Sequence, residues 1–142
     1  MSTIIAIADA VVALLGTGTF SQPITPLRSY QPTYELKDLD VLKVNVVPRA
    51  IAIEPGTRSA SFREVTVDVA IQKKVTPEDT AAMDGLMDLV EEIVGFLNLK
   101  NLSSSPSWKF KEITNDPVFE PDHLKDWRQF TSIVSVRYAA LK

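Results

Sequence analysis

The stretch EVTVDVAIQKKVTPEDTAAMDGLMDLVEEIVGFL, residues 64–97, decides the fold. In its first part Val65, Val67, Val69 and Ile71 alternate with Thr66, Asp68, Ala70 and Gln72. Successive side chains of a strand point to opposite faces, so this period of two predicts a strand with one core face and one polar face. That is the pattern of an antiparallel sheet wetted on one side. The second part changes period. Thr76-Pro77-Glu78-Asp79 joins an N-cap hydroxyl, a proline suited to the first helical position and two carboxylates for the positive end of a helix dipole, which predicts a helix starting at Thr76. Met83, Leu86, Met87, Val90, Ile93, Val94 and Leu97 follow at spacings of three and four, one continuous apolar stripe. Each large side chain buried along it contributes roughly 1.5–3 kcal/mol, so this helix is a leading stabiliser.

Working upstream, Leu42, Val44 and Val46 alternate with Lys43 and Asn45, a strand expected to end at Pro48. Ala50 to Ile53 reads as a second short β piece, followed by the turn signal Glu54-Pro55-Gly56-Thr57. Pro23, Pro26 and Pro32 make residues 17–34 an extended segment with little sheet pairing of its own. Before it, Ser2 and Thr3 offer caps for a helix over about 4–15, with Gly16 and Gly18 to end it. Apolar residues surround most of that helix, so it needs cover on more than one side, from the sheet or from another subunit. Downstream, residues 98–107 form a polar loop, and Trp108 and Phe110 alternate with Lys109 and Lys111 as a strand. Asp116-Pro117 breaks the chain and Pro121-Asp122-His123-Leu124 reads as a helical turn. Phe130, Val134, Val136 and Tyr138 then mark a long terminal strand. The expected fold is a single α+β domain, residues 1–142, with an antiparallel sheet of about four strands, mixed pairing allowed, and two helices packed on one face.

Composition narrows the function. A chain of 142 residues, 45% apolar and 23% charged, is sized for one core and is neither disordered nor fibrous in character. Its formal charge of -3 supplies no general attraction for nucleic acid. With no cysteine, disulfides, thiolate metal sites and thiol nucleophiles are excluded. The apolar N-terminus has no Lys or Arg before it, is interrupted by Asp9, and ends too early to span a bilayer, which favours a soluble, unexported protein.

Catalytic chemistry has little to work with. His123 is the sole histidine, in a charged turn, and reads as an exposed structural residue; no nucleophile elbow accompanies it. Asp38-Leu39-Asp40 lacks the further ligands a hard cation needs, and Gly16-Thr17-Gly18-Thr19 lacks the third glycine and preceding strand of a phosphate cradle. No catalytic residue, metal or cofactor is expected, and the chain reads as a non-enzyme. Two charged sets stand out as candidate subunit interfaces. Asp84, Asp88, Glu91 and Glu92 form an acidic ribbon opposite much of the apolar stripe: a solvated helix face in the plain reading, and otherwise a docking surface for a basic neighbour or a wall past which DNA slides. Arg49, Arg58 and Arg63 flank the hairpin, as ordinary surface charge or as bidentate partners for a neighbour's carboxylates.

The short N-terminal helix, the strand Val65-Thr66-Val67-Asp68-Val69-Ala70-Ile71-Gln72, the helix opened by Thr76-Pro77-Glu78-Asp79 and the terminal strand over 130–138 together resemble the tail-terminator and tail-completion proteins of long-tailed bacteriophages. The likeness lies in element order and strand character and covers most of the chain; residues 98–126 depart from it most. It implies a hexameric ring that caps the tail tube and joins it to the head, with the tail tube protein and head-neck connector proteins as partners. DNA would pass through the lumen without specific binding. It also implies a place at the head-tail interface of a virion, after synthesis in the host cytoplasm, and no membrane. A head-closure or other neck joining subunit is the sibling reading. A small binding domain that dimerises through a strand edge is the alternative of a different class.

Overall fold

The computed structural model describes residues 3–30, 41–76, 78–102, 108–116 and 118–141. In chain order they form α1 (Thr3–Gly16), β1 (Pro26–Arg28), β2 (Lys43–Pro55), β3 (Ser61–Lys74), α2 (Thr80–Leu97), β4 (Lys109–Thr114), α3 (Pro121–Trp127) and β5 (Gln129–Leu141). The strands make one five-stranded mixed sheet in the order β1-β2-β3-β5-β4. Only β1 runs parallel to its neighbour, pairing Pro26–Arg28 with Val44, Asn45 and Val46; the other pairs are antiparallel. The fold is α+β, with five strands where the sequence pattern predicts about four, and the helical turn at Pro121 forms the short helix α3.

The alternation in β3 sets the core. Val65, Val67, Val69 and Ile71 face the same side as Tyr138, Val136, Val134 and Ser132 of β5, their register partners, and all are buried. Helix α1 supplies Ile7, Val11 and Leu15 and helix α2 supplies Leu86, Leu89, Ile93 and Leu97 to the same cluster, so both helices cover one face of the sheet. The opposite face is only half wetted. Asn45, Ala70, Gln72, Gln129 and Thr131 are buried at one end of it, whereas the other end is open to solvent.

Three local expectations change. Pro48 does not end a strand: β2 is continuous, and the register shifts by one residue between Pro48 and Ala50. An edge strand tolerates a proline because its outward amide needs no partner, and a bulge takes up the extra residue. Helix α2 starts at Thr80, not Thr76; the Asp79 carboxylate accepts from the Ala82 amide at 3.1 Å and acts as the N-cap. Its buried side is Leu86, Leu89, Val90, Ile93 and Leu97, while Met83, Met87 and Val94 are only half covered. Finally, the proline-rich segment does contribute a strand, the three-residue β1, whose Arg28 donates to Asp9 of α1 at 2.7 Å and to the Tyr30 hydroxyl at 3.0 Å.

Helix α3 opens on Pro121 and closes at Arg128, whose φ of 51° is the left-handed conformation that ends helices. The Arg128 carbonyl accepts from the Val75 amide at 2.9 Å, which ties the end of β3 to the start of β5. No helix among the described residues is long and apolar enough to cross a membrane.

Candidate assembly surfaces

Of the arginines around the β2–β3 hairpin, Arg49 sits at the bulge. It donates to Asp68 at 3.3 Å and to Ser135 at 3.0 Å, and Ser135 donates to the same Asp68 oxygen at 2.6 Å. Arg58 lies exposed in the turn and makes no ion pair with the described residues. Arg63 is half buried, and its Nε is enclosed without a hydrogen-bond partner among the described residues. The three do not form one basic patch: Arg49 belongs to the open sheet face, and Arg58 to the hairpin tip.

The turn between β2 and β3 is closed by the Thr57 amide donating to the Ala60 carbonyl at 2.8 Å. The backbone at Gly56 is not left-handed, and an added Cβ would meet the far end of the exposed Leu141 side chain at 2.8 Å and the Ala60 carbonyl oxygen at 3.1 Å. The flanking strand is apolar on an uncovered surface. Ile51 and Ile53 are 51% and 57% exposed although they share the helix-bearing face with buried Val65; α1 shields the Val44 and Val46 end of β2 and leaves them bare. On the reverse face Phe62 and Leu141, paired in register, are also exposed. The sequence shows these residues only as alternation, and alternation does not say where the helical cover stops.

The acidic ribbon is mostly free. Asp84, Asp88 and Glu91 are exposed on α2, but Glu92 is half buried and accepts from the Ser21 amide at 2.7 Å, holding the chain after α1. Beside the ribbon runs a groove of about 320 Å³ lined by Met87, Val90, Glu91, Val94, Asn115 and Val118. Along α2 the apolar row Met83, Met87, Val90 and Val94, of which the last three line the groove, is the acidic row Asp84, Asp88 and Glu91 shifted back by one residue. Helical spacing therefore sets an apolar stripe and a charged stripe side by side. The apolar pattern of α2 is wider than the sheet can cover, and this groove is the surplus.

A third surface, unforeseen from the sequence, is the open end of the sheet. Lys111 and Arg137 both pair with Glu64, and Arg137 also pairs with Glu112, across β3, β5 and β4. Register brings these residues together: Glu64 lies opposite Ala139 and Glu112 opposite Arg137. Hydrogen bonding from the Lys111 ammonium holds the Glu64 carboxyl below its ordinary value, with Lys111 and Arg137 charge adding to the effect and partial desolvation opposing it. With Arg49 and Asp68, this face carries three cations, Arg49, Lys111 and Arg137, against three anions, Asp68, Glu64 and Glu112.

His123 is half buried rather than exposed, with Nδ1 3.0 Å from the Thr131 hydroxyl. Among the described residues no three His, Asp or Glu side chains gather as a metal site requires, and Asp38 and Asp40 lie outside them. What the surfaces define is a class: an α+β sheet domain with two unlike exposed patches, an apolar strand edge next to the Arg58 turn and an apolar groove next to the acidic face of α2. No protein-family model and no curated protein matches the chain.

Proposed function

We propose that this chain is a structural subunit that assembles head to tail into a ring, in the manner of the phage tail terminators it resembles, at the junction of tail tube and head. One observation carries the reading. Ile51 and Ile53 stand bare on a strand edge while an uncovered apolar groove flanks α2, so the molecule has two different sticky surfaces. Unlike patches that meet between copies generate rings when the rotation closes.

The charge-balanced end of the sheet supports the same reading. A surface whose cations are each matched by a carboxylate offers few free positive charges to phosphates, which suits a wall that DNA passes without sticking. A second reading, a dimer through the edge of β2, is favoured by the lack of a neighbour for residues 47–55 among the described strands. Pro48 and Pro55 bracket that edge and lack the amides an added strand would use, which counts against it.

Light scattering and electron microscopy of the purified protein, alone and mixed with tail tubes, test the proposal. Rings that cap tubes and stop their growth are the expected result. A chain that stays monomeric at every concentration and ignores tubes, or a discrete dimer, overturns it.

A further inference from the structure

Resting on the ring reading, we infer that the two exposed patches are the two halves of one contact: Ile51 and Ile53 of one copy seat in the α2 groove of the next, between Met87, Val94 and Val118. Three observations carry this. The first is that each patch is apolar where a solvated surface has no need to be. Val118 is 40% exposed, Met87 and Val94 are half covered, and Ile51 and Ile53 are more than half exposed. Contiguous apolar surface with a polar rim is the mark of an interaction site.

The second is charge. Helix α2 carries Asp84, Asp88, Glu91 and Glu92 and no Lys or Arg; on the hairpin, Arg49 is taken up by Asp68 on the reverse face and Arg63 is half buried, which leaves Arg58 exposed at the tip. Arg58, which makes no ion pair with the described residues, is then the hairpin's cation for the exposed Asp88 and Glu91 beside the groove.

The third is placement. In the strand order β1-β2-β3-β5-β4 the isoleucines lie towards one lateral edge, on β2. The groove lies towards the other, where α2 packs over β5 and β4 and the chain leaves β4 through Asn115 and Val118. Neither patch meets the other within a subunit. A second copy related by rotation about an axis roughly along the strands brings one edge to the other and repeats, which is the operation of a cyclic ring.

The absence of cysteine makes the test clean, because any disulfide reports only the positions chosen. Ile53→Cys and Val118→Cys are introduced separately and together, with Ile51→Cys and Met87→Cys as a second pair should the first perturb folding, and each variant is oxidised with diamide. The double variant is expected to give a ladder of linked dimers, trimers and higher multiples on non-reducing gels. Each single variant is expected to stay unlinked, and an equal mixture of the two singles to stop at dimers. Linkage by Ile53→Cys alone would mean hairpin-to-hairpin contact and overturn the inference. So would double variants of both pairs that link no more than the singles, when wild type still forms rings by light scattering; the ring reading would then stand without this contact. Wild type that remains monomeric overturns both.

Discussion

Tyr138 carries its hydroxyl into the core, where burial pushes its pKa up and the described residues offer it no hydrogen bond. An enclosed hydroxyl without a partner costs about 1–3 kcal/mol, so Tyr138→Phe is expected to leave stability unchanged or raise it by about 1 kcal/mol, measured by urea denaturation. Asp79 works in the opposite direction. Its carboxylate caps α2, and Asp79→Ala is expected to cost about 1 kcal/mol in the same measurement. Both Thr76 and Asp79 had the chemistry of a cap, and the choice between them was not legible. The Asp79 amide donates to the Thr76 carbonyl at 3.0 Å, which makes the earlier residues a turn leading into the helix rather than its first turn. Glu64 adds a pH dependence. Because its folded pKa is held down, its contribution is fully present above the ordinary value of 4.5 and is lost as pH falls through the lowered one. Glu64→Gln is therefore expected to be less stable than wild type at neutral pH, with the difference shrinking below pH 4.5 in acid titrations followed by circular dichroism.

At the scale of elements, α2 separates residues that hold the monomer from residues left over. Leu89 and Ile93 are fully buried, and truncating either to alanine is expected to cost about 2–5 kcal/mol. Met87→Ala, in the groove, is expected to cost clearly less in the monomer while weakening self-association, seen by sedimentation at increasing concentration. The stripe was readable in the sequence as a stripe, but which edge of it met the sheet was not. Leu89 was hidden among acidic neighbours, and Met83 and Met87 sat as regularly as any core residue. β3 and β5 announced themselves through long alternation. β1 did not, because three residues opening on a proline carry no period, and their partner Val44–Val46 lies on a distant part of the chain.

For the whole molecule, pairing of Arg58 with the acidic face of α2 in the next copy predicts that assembly weakens with salt. Raising ionic strength from 0.05 to 0.5 M is expected to lower the assembled fraction in light scattering, since the Debye length contracts from roughly 14 Å to about 4 Å and the rim charges no longer sense one another. Rings that persist unchanged would assign the contact to its apolar part alone. The general class of the fold could be read from residues 64–97 and the terminal strand. The surfaces could not, because exposure is decided by where helices stop, and Ile51 looks the same in sequence whether a helix covers it or not.

The single-residue bulge at Arg49 has a consequence out of proportion to its size. Before it the even-numbered Val44 and Val46 point towards the helices; after it the odd-numbered Ile51 and Ile53 do. β4 repeats the device, with Phe110 before its bulge and Ile113 after it on the same side. An insertion of one residue in an edge strand thus behaves as a frameshift of faces, exchanging everything beyond it between inside and outside while leaving the interior strands untouched. Both margins of the sheet can change what they present by gain or loss of one residue, and the core need not register the change.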